Sequence, residues 1–111
     1  MPNIIDAARL TSTVSGGIAR AVLASRATLG SGALQVERVT LEPGARASAA
    51  GTPAGENFVY VIRGSGRARV GRQVFELQPE SVLWLEPGDS CSLGAGAEAL
   101  EVLLCRAPAA D

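Results

Sequence analysis

Short extended runs separated by turn residues constrain the fold of this chain more than any other feature. The run from Asn57 to Arg63 is rich in β-branched and aromatic residues and ends at the tight Gly64-Ser65-Gly66 connection. Similar runs recur at spacings of roughly ten residues, each bounded by glycine, proline or polar residues. About eight short strands arranged in this way predict an all-β sandwich or barrel.

The length of 111 residues predicts a single domain. We divide it into an N-terminal arm and first strand over residues 1–32, a barrel over 33–108 and a loose tail over 109–111. The hydrophobic content of 47% supports a core of valine, leucine and alanine. A domain of this size is marginally stable alone, so dimerisation would stabilise it.

The charge balance bears on the partners of the chain. Its net charge is −1, whereas binding to phosphate-bearing surfaces needs clustered positive charge. We therefore expect no nucleic-acid partner and no membrane partner. The sequence also shows neither a long apolar run nor a signal-peptide pattern, which predicts a cytoplasmic location.

Histidine is absent from the sequence. The most common metal ligand in proteins and the most common general base at neutral pH are therefore both missing. The two cysteines, Cys91 and Cys105, are too few for a disulfide framework or for a zinc site.

Two stretches carry a resemblance to a known family. Gly44 and Gly64 stand at the two ends of the first stretch, and Glu86-Pro87-Gly88 lies at the centre of the second. With these turns and spacings, the chain resembles the cupin superfamily in its small single-domain form over residues 33–108. The resemblance implies a double-stranded β-helix (jelly-roll) barrel and suggests a homodimer.

The positions that hold a metal in that family carry other residues here. The two histidines of the first motif fall on Ala50 and Thr52, its glutamate on Asn57, and the histidine of the second motif on Cys91. The opening glycine of the second motif is Glu80. Alanine has no donor atom, threonine and asparagine are weak neutral donors, and one thiolate does not hold a first-row metal alone. We therefore expect no metal and no other cofactor, and we do not carry over the dioxygenase chemistry of the family.

Strand alternation assigns a set of side chains to the barrel interior. If Asn57 and Cys91 face inward, every second residue on their strands does so as well. Counting from Leu41 places Glu37 on the inner face too. An apolar pocket with a few polar groups is typical of a small-molecule site. The predicted ligand-binding residues are Thr52, Asn57, Val59, Leu93, Val102, Leu104 and Arg106.

Glu37 and Cys91 are the candidate catalytic residues. A carboxyl group desolvated in an apolar barrel can act as a general acid or base, but Glu37 could instead pair with Arg106 or another arginine, or lie in solvent. A thiol at the pocket could act as a nucleophile, but Cys91 could instead be a small hydrophobe in the space that histidine leaves. Asn57 and Thr52 could contact a ligand, or could satisfy each other and a water.

The sequence therefore supports two functions of different classes. The first is a metal-independent barrel that binds a small organic molecule and isomerises, eliminates or cyclises it, with Glu37 as the proton-transfer group. The second is a non-catalytic ligand-binding or accessory barrel with a vestigial site. The sequence does not identify the ligand.

Overall fold

Two antiparallel β-sheets make up the structure, a computed structural model that describes residues 12–24, 34–50 and 56–107. The chain forms ten strands and no helix within these ranges. The all-β prediction is confirmed. The strands are β1 (Thr13–Ser15), β2 (Ile18–Ala24), β3 (Gln35–Leu41), β4 (Arg46–Ala50), β5 (Glu56–Arg63), β6 (Gly66–Val70), β7 (Gln73–Leu77), β8 (Val82–Leu85), β9 (Ser90–Ala95) and β10 (Leu100–Ala107).

The strands are wound between the two sheets. One sheet has the order β1-β2-β3-β10-β5-β8 and the other has the order β4-β9-β6-β7. From β3 onward most connections cross from one sheet to the other, which is the winding of a jelly roll. β1 and β2 are hydrogen-bonded into the same sheet as β3, so the first strand shares a sheet with the barrel strands. In the described ranges, nothing helical is long and apolar enough to cross a membrane.

The core lies between the sheets and follows from strand alternation. Val39, Val102 and Val61 are cross-strand neighbours in the larger sheet, and all three are fully buried. Leu93 and Ala68 form the matching pair on the smaller sheet. Burying these apolar side chains between two sheets is the main driving force for such a fold.

Two glycines close one end of the barrel. Gly64 ends β5 with a φ of +88°, and a Cβ there would overlap the backbone oxygen of Ala99. A Cβ on Gly66 would overlap the backbone oxygen of Gly94. Only glycine allows both approaches. Asn57 lies at the start of β5, so it belongs to the other end of the barrel.

Two strands occur where the residue pattern did not indicate one. β1 has only three residues, and β4 consists of Arg46 followed by alanine and serine. These small residues have low intrinsic strand propensity, and β4 is extended because it pairs along its whole length with β9. Its partner decides its conformation.

Candidate functional site

One row of side chains at the end of the barrel opposite Gly64 carries polar groups. The row runs across four adjacent strands of the larger sheet and consists of Gln35, Arg106, Asn57 and Leu85. Directly paired residues face the same side of a sheet with their Cβ atoms about 5 Å apart. We call these four residues the Asn57 row.

Asn57 is the most unusual member of the row. Its exposed fraction is 4%, and among the residues that the structure describes it is the one polar residue that is buried. Neither Oδ1 nor Nδ2 of its side chain has a hydrogen-bond partner among the described residues. Buried polar groups are nearly always hydrogen-bonded, so an amide with both ends unpartnered indicates a place for another molecule.

Arg106 lies beside Asn57 and is half-buried. Arg106 and Asn57 line the same small pocket. Over the part of the chain that the structure describes, Arg106 forms no salt bridge. The row therefore combines an uncompensated cation with an unpartnered amide.

The structure places Glu37 in an ion pair. Its Oε1 accepts a hydrogen bond from Nη1 of Arg20 on the neighbouring strand, at 2.9 Å. Its side chain is 14% exposed and lies on the inner face, opposite Leu104 and Val22. An ion pair with Arg106 or another arginine is one of the alternatives that the sequence leaves open for Glu37, and the partner is Arg20. Its catalytic assignment stays a prediction.

Cys91 lies on β9 of the smaller sheet, between Ala49 and Val70. It is buried, belongs to the main core cluster and is not in a disulfide. The catalytic role proposed for Cys91 stays a prediction. The ligand-binding role of Thr52 also stays a prediction, because Thr52 lies outside the described residues.

The apolar residues expected to line the pocket occupy the core. Leu93 and Val102 have no exposed surface, and Val59 and Leu104 are buried in the same cluster. All four face the interior as alternation predicts, but their contact with a ligand is untested. The space beside Asn57 is about 10 Å³, enough for about one water or one polar group of a larger molecule.

A larger groove, of about 570 Å³, lies on the outer face of the smaller sheet. Arg46, Arg67 and Arg69 stand along its sides, and Ser92 and Gly94 of β9 lie between them. Arg67 is paired with Glu76 at 2.9 Å. The residue pattern does not indicate this groove, because the small residues of β4 do not predict a strand.

The opposite face of the larger sheet carries an aromatic pair. Phe58 and Trp84 stack with ring centroids 5.8 Å apart, and 54% of the Trp84 surface is exposed. Trp84 therefore faces outward. Cys105 lies on this same face, beside Phe58 and Val36. Burial raises the pKa of its thiol above the ordinary value of 9.0.

The residues at the family's metal-binding positions do not suit the metals typical of cupins. Of these positions, Asn57 on β5 supplies a neutral amide and Cys91 on β9 a single sulfur. Within residues 12–24, 34–50 and 56–107, no three histidine, cysteine or acidic side chains are grouped so that they could hold a metal ion. First-row metals need several imidazole, carboxylate or thiolate ligands. We therefore derive no chemistry through a metal.

Solved structures share this fold over nearly the whole chain. KdgF from Halomonas sp. superposes with a TM-score of 0.84 at 16% identity, covering 100% of this chain and 97% of that one. An RmlC-like cupin from Shewanella frigidimarina gives 0.81 at 13% identity, covering 100% and 95%. The nucleoside dehydratase Pac13 from Streptomyces gives 0.76 at 17% identity, covering 100% and 86%. At these identities the similarity shows the fold alone, and it confirms the double-stranded β-helix of a cupin.

No match was found among curated proteins. A family model, the AraC-like ligand binding domain, matches residues 49–107, which is more than half of the chain. The matched segment contains the start of β5 with Asn57, all of β9 with Cys91, and β10 with Arg106. The chain therefore belongs to the family of AraC-like ligand-binding domains, built on a cupin barrel.

Proposed function

We propose that this domain binds a small organic molecule at the Asn57 row and does so without a metal. The single observation that carries the proposal is the buried Asn57 amide, whose two polar atoms have no partner among the described residues. Membership of a ligand-binding family supports the same function.

The amide defines what the ligand must offer. Nδ2 donates hydrogen bonds and Oδ1 accepts them, so a complementary group presents an acceptor and a donor close together. A buried amide that lacks hydrogen-bond partners is destabilising by about 1–3 kcal/mol. A ligand that makes these bonds recovers that free energy, which contributes to its affinity.

The size of the pocket determines how the ligand enters. The space beside Asn57 admits one polar group, and the side chains below it are packed without exposure. We infer that the ligand inserts one polar end beside Asn57 while the rest of it lies over Leu85 and Arg106. Such a ligand is small and amphipathic.

Catalysis is a second candidate function, favoured by one observation. Glu37 is a largely buried carboxylate on the inner face, one row deeper than Asn57. An acid/base role for Glu37 in isomerisation, elimination or cyclisation, with Thr52 and Cys91 positioning the substrate, remains our proposal. Pac13, which shares this fold, is a nucleoside dehydratase. The ion pair with Arg20 holds Glu37 in place in either case.

A thermal-shift screen of small molecules tests the binding function. A ligand at about 100 times its Kd adds about 2.7 kcal/mol of stability. That is about 10 °C in Tm for a domain of this size. Asn57→Leu should abolish the ligand-induced shift, whereas the control Arg69→Gln, on the outer sheet face, should keep it. A ligand that stabilises the Asn57→Leu variant as much as wild type would overturn the proposal.

Glu37→Gln separates the two candidates. If the domain only binds, the variant keeps its ligand and no turnover is seen in either protein. If Glu37 transfers a proton, product formation falls by about 10²–10⁴-fold. Product analysis by mass spectrometry with any ligand from the screen distinguishes these results.

A further inference from the structure

We infer that the ligand is an organic carboxylate whose anionic group is bound by Arg106 beside Asn57. The inference rests on the proposed binding function and deepens it, because it assigns the charge of the ligand. It follows from the balance of charges at one end of the barrel.

Arg106 has no salt-bridge partner among the residues that the structure describes, although a carboxylate lies nearby. Glu37 is two residues from Gln35, the partner of Arg106 on β3, and it faces the same interior. Its Oε1 is bound by Arg20 at 2.9 Å. The other members of the Asn57 row, Gln35 and Leu85, carry no charge. A half-buried cation without a paired anion is unfavourable, so the site is complementary to an anion.

The neighbours of Arg106 favour a carboxylate over other anions. A guanidinium group binds a carboxylate through two parallel N–H···O bonds, which also fixes the plane of the ligand. Nδ2 of Asn57, on the adjacent strand, can donate to the same carboxylate, and Oδ1 can accept from a hydroxyl or amino group that neighbours the carboxylate in the ligand. A phosphate carries more charge than one arginine neutralises, and no described residue adds a second cation to this row.

An NMR titration of the full chain with acetate and acetamide tests the inference. The two probes have the same shape and differ mainly in charge, and each presents a single polar group to the small space beside Asn57. The reporters are the Asn57 side-chain amide and the Arg106 Nε–H signals, with ionic strength held constant by chloride. We expect acetate to shift both signals in a saturable way, with a Kd about tenfold below that of acetamide.

Two variants assign that preference to one side chain. Arg106→Gln should remove the preference for acetate at the Asn57 signal, and Arg106→Lys should keep part of it because the charge remains. The matched control is Arg69→Gln, since Arg69 is an exposed arginine that forms no ion pair within the described part of the chain. It should leave the preference unchanged. Arg106→Lys provides the comparison if the glutamine variant does not fold.

The outcomes separate this inference from the proposed function. Equal affinity for the two probes, or a preference retained in Arg106→Gln, would overturn the carboxylate assignment while small-molecule binding at Asn57 stands. If neither probe produces a saturable shift of the Asn57 amide, both the assignment and the proposed site are overturned.

Discussion

Replacing Asn57 by leucine should stabilise the ligand-free domain while removing its ligand binding. Leucine has the same branched shape and the same number of side-chain heavy atoms as asparagine and carries no polar atoms, but its methyl groups are bulkier than the amide. Leu85, Val59 and Leu104 are apolar neighbours of the site inside the barrel, and Arg106 lies beside it. Overpacking therefore offsets part of the gain in stability. Removing an unsatisfied buried amide relieves a penalty of about 1–3 kcal/mol. We therefore expect the free energy of unfolding to rise by up to that amount, and Tm by up to about 12 °C.

The measurement is urea unfolding of protein freed of small molecules by unfolding, dialysis and refolding. Asn57→Ala is the matched control, because it removes the same amide but leaves a cavity, which is destabilising. It should be less stable than the leucine variant. The reasoning is refuted if Asn57→Leu is less stable than wild type by more than about 3 kcal/mol. A loss of that size exceeds the cost of overpacking, so the amide would then be making hydrogen bonds that stabilise the fold.

Three further predictions follow from individual residues. Glu80 has a φ of +70° at a position where cupins have glycine. Glu80→Gly should therefore raise the free energy of unfolding by about 0.5–1 kcal/mol, whereas the control Glu98→Gly should not. A loss of stability in Glu80→Gly would contradict this prediction. Elemental analysis should find no stoichiometric iron, manganese, nickel or zinc, and EDTA should leave Tm unchanged; one metal per chain would overturn the metal-free proposal. Burial raises the pKa of Cys105, so the folded state keeps the thiol proton at a pH where the unfolded state loses it. The free energy of unfolding should therefore fall as pH rises above about 9, and Cys105→Ala should lessen that fall. An equal fall in the variant would contradict this prediction.

The sequence was sufficient to predict the fold where turns and alternation agree. β5 follows from its run of β-branched and aromatic residues, and the inward positions of Asn57, Val59 and Arg106 follow from alternation on β5 and β10. β4 was missed because alanine and serine have weak strand propensity, and pairing with β9 decides its conformation. The groove beside β4 was missed for the same reason.

The site was only partly predictable, because its chemistry depends on pairing between distant strands. Alternation placed Glu37 on the inner face but could not select Arg20, which lies 17 residues away, over Arg106 as its partner. That choice leaves Arg106 without a counter-ion within the described ranges. Likewise, the Asn57 amide has no partner among the described side chains, which is a property of the packed barrel and has no signal in the sequence.

A crystal structure with a ligand from the thermal-shift screen tests the central claim most directly. The account predicts ligand atoms within hydrogen-bonding distance of both Oδ1 and Nδ2 of Asn57, with the anionic group of the ligand against Arg106. A ligand seated instead in the outer groove between Arg46 and Arg69, with the Asn57 amide still unpartnered, would contradict it.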